Sequence, residues 1–336
     1  FTFVLKMNMM NTDYLQLVEL ATRAPSGHNT QPWLFRIGEK EITILPDLTK
    51  ELPVVDNDRR ELYISLGCAT ENLCIAASAA GYRTEVSIEA PAEQPAAIHI
   101  SLEKSADVLP SPLYPAIEKR QTNRSVYNRQ AVPEKSLEAL TAIAAEPGIH
   151  FHLWKNGTKE FNALKALISK GNDSQMNDPA FKEELQAWMR YNKKHSEATR
   201  NGLSYAVFGA PNLPAFLSKA IMGSFLNSST QNKGDRKKIA SSSHLVLFTV
   251  PNNTVGEWIS LGRTLQRFLL TATRENIAAA FLNQPCEVKE LAEEIRQKLP
   301  INKEYPALLL RIGYAKDMPY SLRQDIKEVI TEGNKK

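Results

Sequence analysis

The sequence predicts an α+β protein built as two halves in tandem, and three observations predict it. At roughly 150 residues per domain, a chain of 336 residues suggests two domains or one large one. Helix-period and strand-period segments alternate, and after the Pro-rich stretch Leu109–Pro115 the plan starts over. Gly67–Gly81 and Gly262–Ala280 also share a pattern: glycine, a polar Asn or Gln, then an Ala/Leu-rich buried helix. Apolar residues at 43% and charged residues at 23% fit an ordinary globular chain and exclude wholesale disorder. The net charge of +4 is too weak to predict nucleic-acid binding. No apolar run approaches the roughly 18–20 residues of a membrane-spanning helix.

The elements follow in order. Tyr14, Leu17, Val18 and Ala21 form one apolar stripe, which predicts a helix over Thr12–Arg23 that Pro25 stops. Ala24–Trp33 reads as a loop with one buried aromatic. Short strands follow at Leu34–Ile37 and Glu41–Leu45 with a turn at Gly38. A long helix runs over Asp58–Ala80, with Gly81 as its C-terminal signal. Strands at Thr84–Ile88 and Ala97–Leu102 close the first half. Beyond the linker the pattern predicts helices at Pro112–Lys119 and from Pro133 to Ala145, strand Ile149–Trp154, and helices at Lys159–Lys170 and Pro179–His195. Glu197–Asp235 carries Gly, Pro, Asn and Ser beside Tyr205, Phe208, Phe216, Ile221, Met222 and Phe225, and reads as a long irregular lid or binding loop. Strand His244–Val250, a helix over Thr254–Ala280, a helix over Glu287–Leu299 and the dense apolar strand Ala307–Tyr314 complete the chain.

Three strings carry chemistry. In Ala24–Trp33 (APSGHNTQPW), Ser26, Asn29 and Gln31 and several backbone N–H groups suit a planar heterocycle, although the string equally suits a structural turn anchored by Trp33. In Arg120-Gln121-Thr122-Asn123-Arg124 the two arginines share one face if the segment is helical. With Thr122 between them they suit a phosphate, because guanidinium forks give bidentate charge-assisted bonds; a solvated basic face is the alternative. Strand Leu308–Tyr314 leads to a tail in which Arg323 adds a further cation, or is a surface arginine.

Together the three strings resemble the FMN-dependent nitroreductases, and more narrowly their tandem, double-length relatives. Those carry Ala-Pro-Ser-x-x-Asn-x-Gln-Pro-Trp in the first half, Arg-x-Thr-Asn-Arg in the second, and end on Leu-Leu-Arg-Ile-Gly-Tyr. The resemblance covers Asp13 to Arg323. It implies a nitroreductase-like α+β fold, mostly antiparallel sheets flanked by helices, with residues 11–108 and 109–330 packed as an intramolecular pseudo-dimer. Ordinary members of the family are dimers with FMN at the subunit interface, the arginine motif and the flavin loop coming from different subunits. Here the first half has no arginine pair ahead of its loop, and the second half reads AAEPG at Ala144–Gly148 where a flavin loop would stand. The halves are therefore complementary, and one FMN per chain is expected.

By position, the resemblance assigns Arg120, Thr122 and Arg124 to the phosphate and ribityl end. It assigns Pro25, Ser26, His28, Asn29 and Gln31 to the flavin loop, Arg323 to a second phosphate contact, and backbone near Ala280, Phe281 and Leu282 to an N–H donor for flavin N5. His28 fills a variable position and receives no proton-transfer role. The implied activity is two-electron, ping-pong reduction of small aromatic or quinone-like acceptors by NADH or NADPH. No Gly-x-Gly-x-x-Gly fingerprint occurs, so the nicotinamide would bind over the flavin. If Glu197–Asp235 closes over the ring, the alternative is a flavin-sequestering protein without turnover. The remaining expectations are a cytoplasmic chain, with no nucleic-acid or membrane partner, as a monomer with an internal pseudo-dimer or a weak homodimer.

Other candidates are weaker. Cys68, Cys74 and Cys286 are odd in number and form no Cys-x-x-Cys pair, so packed, reduced thiols are expected. His150 and His152 share a strand face without an evident third ligand. Ser26 and His28 lack an orienting acid and make no nucleophile pair. Lys237–Lys238 and Lys335–Lys336 read as solvated. The chain opens at Phe1, which suggests a processed, tagged or truncated terminus. Phe1–Leu5 lacks the basic and long apolar regions of a secretory signal, and a leader already removed stays open.

Overall fold

Period-two apolar patterning builds two four-stranded antiparallel sheets, one from each half of the chain, and the two longest core helices lie against each other. The computed structural model describes residues 11–331 except positions 93 and 225. Phe1–Leu5, Phe225 and Lys335–Lys336 lie outside the described residues.

In the first half, α1 (Thr12–Ala21) leads through the 24–33 loop into β1 (Trp33–Ile37) and β2 (Glu41–Pro46). α2 (Arg60–Ala79) follows, then β3 (Tyr82–Glu89) and β4 (Ala97–Lys104), giving the order β1-β2-β4-β3. Ile42, Ile44, Ile98, Ile100 and Leu102 turn one face of this sheet into the core.

The second half contains α3 (Glu134–Thr141), β5 (His150–Lys155), α4 (Lys159–Asn177) and α5 (Pro179–Trp188). The two-residue strands β6 (Met189–Arg190) and β7 (Leu203–Ser204) flank α6 (Lys193–Thr199). After them come α7 (Ala215–Ser224), α8 (Ser228–Ala240), β8 (His244–Val250), α9 (Val255–Arg274) and β9 (Ala278–Phe281). α10 (Gln284–Glu287), α11 (Lys289–Lys298), β10 (Tyr305–Gly313) and α12 (Ile326–Val329) complete the chain. The second sheet runs β5-β8-β10-β9, with β10 central and almost wholly buried.

The repeat read in the sequence has a physical counterpart. α2 and α9 cross where Gly67 meets Gly262, and a Cβ on either residue would lie 2.1 Å from a carbonyl oxygen of the other helix. Beside the crossing, the buried Gln266 amide donates to Asn72 Oδ1 at 2.6 Å. Arg263 and Arg267 both reach Glu71 across the same interface. The tail then returns to the first half, where Thr331 N–H donates to the Phe35 carbonyl at 2.9 Å.

Several expectations change. Pro112–Lys119 forms only a single 3-10 turn, Tyr114–Ala116, because Pro112 and Pro115 remove two helix donors. The helix expected over Pro179–His195 ends at Trp188, and a short strand and α6 follow. The helix expected through Ala280 ends at Arg274; Asn276, at φ 57°, turns the chain left-handed into edge strand β9. Glu197–Asp235 is not irregular but largely helical. Its polar residues are caps, as where Asn227 accepts from Thr230 N–H at the start of α8. By length and composition α2 is apolar enough to cross a bilayer, contrary to the sequence reading, yet most of it is buried inside the protein.

Candidate functional site

The 24–33 loop is held in a strained shape. His28, Asn29 and Gln31 all have left-handed backbones, at φ 47°, 56° and 58°, which costs each non-glycine residue on the order of 1 kcal/mol and calls for anchoring. The anchors are explicit. Ser26 Oγ accepts from Gln31 N–H at 3.0 Å, and Asn29 Nδ2 donates to the carbonyls of Gly202 and Leu322 at 3.2 Å each. Gln31 is fully buried; it donates to the Arg200 carbonyl at 2.9 Å and accepts from Gln324 N–H at 2.9 Å. Gln31 thus serves as a strut of the loop, and its side chain is turned away from both cavities described below. Pro25, Ser26, Gly27 and His28 do face the larger one.

Residues 120–124 are extended, not helical, with Thr122 bridged to Ala279 of β9. Alternation along an extended chain still brings positions 120, 122 and 124 to one side, so the expected grouping survives by a different geometry. Arg120, Thr122 and Arg124 line a small basin together with Arg23, Ser26, Asn29 and Arg323. Arg120 Nη2 donates to the Arg23 carbonyl at 3.1 Å, while its Nε and Nη1 are buried without a partner. The Arg124 guanidinium stands 5.7 Å from the Phe208 ring centroid. Among the described residues no carboxylate comes within ion-pair distance of Arg120, Arg124 or Arg323. Burial, and then crowding by like charge, pushes Arg120 and Arg124 down to about 10 and Arg323 to about 9. Arg120, buried with idle donors and no counter-charge beside the half-buried Arg124, is arranged for an anion.

Arg323 lines this basin but has little left to give. Its guanidinium donates to the carbonyls of Thr22 (2.6 Å), Arg23 (3.2 Å) and Ala24 (3.0 Å), and to Asn29 Oδ1 (3.0 Å). It therefore contributes charge to the basin and ties the tail to the end of α1.

Pro25, Ser26, Arg124 and Phe281 also line a second cavity of about 700 Å³, so basin and cavity adjoin. Its walls include Ile64, Ser65 and Cys68 of α2, Gln175 and Met176 of α4, and Phe208, Met222 and Leu226 from the 197–235 segment. Leu282 N–H donates to the Leu309 carbonyl at 2.8 Å. Alternate N–H groups of an antiparallel strand point to opposite edges, so that of Phe281 points away from β10. Ala280 pairs with Arg311 inside the sheet. Of the three backbone positions singled out at 280–282, only Phe281 thus lies on the cavity. His28 is driven down to about 4 by burial and then by Arg124, and is neutral near pH 7.

The cavity floor was not legible in the sequence. Glu61 of α2 and Glu287 of α10 lie within hydrogen-bonding reach of each other there. Burial and then the Glu287 charge hold the Glu61 carboxyl well above the usual carboxylate range; burial raises Glu287 as well. No local spacing could have paired them, since only the meeting of the two halves does so. The remaining candidates have structural roles. His150 pairs with Glu304 at 2.8 Å, and no metal-ligand cluster occurs among the described residues. Cys68 donates to the Gly262 carbonyl at 3.2 Å, and burial pushes its thiol up.

No family model matches the chain. It is 24% identical over 94% of its length, and 90% of the relative's, to a Mycobacterium tuberculosis protein provisionally named an NAD(P)H nitroreductase. It is 24% identical over 89% of its length, and 86% of the relative's, to a protein of the same organism that carries no functional name. Among solved structures, the FMN and NADPH-dependent nitroreductase of Sphigopyxis sp. strain HMH aligns with a TM-score of 0.42 and 12% identity, over 66% of this chain and 98% of its own.

Proposed function

We propose that this chain, a double-length member of the nitroreductase family, binds one FMN between its halves. There it passes two electrons from NADH or NADPH to a small aromatic or quinone-like acceptor. The observation that carries the reading is a basin where Arg120 is buried with idle donors and no counter-charge beside Arg124, adjoining a cavity walled by both halves.

The residues present fit the cofactor. Arg120, through its idle Nε and Nη1, and Arg124 would hold the phosphate, with the Thr122 hydroxyl beside them. Pro25, Ser26 and neutral His28 would line the ring and ribityl chain. Asn29 and Arg323 hold that loop in place, and the Phe281 N–H would meet the reactive edge of the ring. FMN would supply the two-electron carrier, which no side chain of the protein can replace. The protein's own part is binding, orientation and exclusion of water by the apolar wall. Donor and acceptor would occupy the cavity in turn, so acceptor choice depends on cavity shape. Residues 11–108 supply the loop and 109–330 the arginines, which supports an intramolecular pseudo-dimer.

One observation favours a second reading. Phe208, Met222 and Leu226 wall the cavity, and a segment that stays closed would shield the flavin and prevent turnover. The test is anaerobic addition of NADPH to FMN-loaded protein. Turnover requires the yellow colour to bleach and to return when a quinone is added. A flavin that stays yellow with both nicotinamides sinks the reductase reading and leaves sequestration.

A further inference from the structure

The carboxyl pair on the cavity floor has its hydrogen bonds sorted in a telling way. Leu309 N–H donates to Asn283 Oδ1 at 3.0 Å, which fixes the amide so that its Nδ2 donates to Glu61 Oε1 at 2.7 Å. Gln175 Nε2 donates to Glu287 Oε2. Each carboxyl thus has one oxygen engaged by an amide, and the two side chains lie within hydrogen-bonding reach of each other. Among the described residues neither carboxylate forms a salt bridge. The nearest cation, Arg60, donates instead to the Cys286 carbonyl at 2.8 Å. Arg60 favours the charged form of both carboxyls but pairs with neither; at Glu61 burial and repulsion from Glu287 outweigh it, so the pair holds a proton between its members.

The location matters as much as the chemistry. Asn283 follows Phe281 by two residues, about 7 Å along an extended chain, and both line the cavity. Asp56 and Asp58 precede α2, Arg60 lies within it, and Cys286 adjoins Glu287. His28, Arg124 and Lys238 also line the cavity, the 24–33 loop coming close enough that a Cβ on Gly27 would lie 3.2 Å from Glu61 Oε2, with Asp235 behind Asn172. Burial keeps His28 neutral and keeps the Cys286 thiol high, so neither competes as a proton source at neutral pH.

We propose that Glu61 and Glu287 share one proton and deliver it to the acceptor, as the acid partner of the hydride that arrives through the cofactor. This rests on the reductase reading. For a quinone-like acceptor, hydride adds two electrons and one hydrogen. A new O–H bond forms at the carbonyl oxygen as the shared carboxyl O–H breaks, and the hydroquinone leaves. The nicotinamide donor is oxidised by two electrons, and solvent returns a proton to the pair. Reduction of the cofactor by the nicotinamide draws no proton from the pair.

The test uses full-length FMN-loaded protein and the near-isosteric variants Glu61→Gln and Glu287→Gln, studied separately so that one folding failure leaves the other. FMN retention and anaerobic bleaching by NADPH should stay within about twofold of wild type. Reoxidation by a benzoquinone should slow by about 100-fold or more, the size of a lost general acid, and lose its pH dependence. Infrared difference spectra (wild type minus variant) of flavin-free protein at neutral pH should show a protonated-carboxyl band lost in either Gln variant, over and above the Asp56 carboxyl, itself raised to about 7. Unchanged reoxidation and pH profile in both variants, or no such carboxyl band, overturns the proposal. Wild type that NADPH does not bleach overturns the reductase reading and the acceptor role with it, while the infrared band still decides whether the proton is shared.

Discussion

Gly67 and Gly262 stand back to back at the centre of the molecule, and their relationship is reciprocal: a Cβ on Gly67 would meet the Ile259 carbonyl oxygen at 2.1 Å, and one on Gly262 would meet that of Ile64 at 2.1 Å. Each glycine opposes the residue three positions before the other. This brings two helix backbones into contact and sets the spacing of the cavity that α2 helps to wall.

Gly67→Ala and Gly262→Ala should each destabilise the protein. Alanine gains about 1 kcal/mol of helix propensity over glycine. A Cβ at 2.1 Å from backbone oxygen cannot be accommodated without parting the helices, so overpacking at the upper end of its range of about 1–3 kcal/mol outweighs that gain, for a net loss of about 1–2 kcal/mol. The double variant should cost less than the sum, because one separation relieves both clashes. Urea unfolding measures this, and a change under about 0.5 kcal/mol in both single variants contradicts it.

Arg120→Ala should weaken FMN binding by about 10- to 100-fold, the worth of one or two charge-assisted hydrogen bonds. Arg120→Lys should recover part of the charge but not the fork. Fluorescence titration of free FMN reads both. Equal affinity in wild type and Arg120→Ala would show that the phosphate lies elsewhere.

Arg323→Ala should act mainly on stability. It strips the partner from the carbonyls of Thr22, Arg23 and Ala24 and from Asn29, a loss of about 1–3 kcal/mol. Arg323→Ala should also loosen the tail, which limited proteolysis near residue 325 would detect. A variant that loses FMN yet keeps wild-type stability would make Arg323 a direct phosphate ligand instead.

The strings that could be read from the sequence are those whose residues act as neighbours. Arg120 and Arg124 share one side whether the segment is helical or extended, and Thr122 joins them because alternate residues of an extended chain face the same way. Ser26 and His28 reach the cavity for a similar reason. Gln31 looked the same in the sequence whether its amide faced a ligand or the chain, and only its fit against Arg200 and Gln324 decides. The helices of the 197–235 segment were hidden because capping residues and loop residues have the same composition. Glu61 and Glu287 meet through the packing of the two halves, which leaves no local period to read.

Stability should carry a pH signature from the cavity floor. Asp56 is raised to about 7, chiefly by burial and then by Glu61, and the Glu61 carboxyl is raised well above its ordinary value. A raised carboxyl binds more protons in the folded than in the unfolded state. Stability from these groups is therefore full below about pH 4 and falls as pH rises through their folded values. His28, lowered to about 4, acts oppositely: its contribution rises from about pH 4 to its unfolded value of about 6.5. The difference between wild type and Glu61→Gln isolates the floor, and Glu61→Gln should gain relative stability steadily above pH 5. A difference that is flat with pH, read from thermal melts of flavin-free protein, would contradict the burial argument.

The central claim is that both halves build one flavin site. The most direct measurement is the ratio of flavin to chain after reconstitution with excess FMN and removal of the unbound fraction, read from absorbance and protein concentration. The account predicts one FMN per chain in wild type and almost none when Arg120 and Arg124 are both changed to Ala. Two FMN per chain, or full occupancy in the double variant, would contradict it.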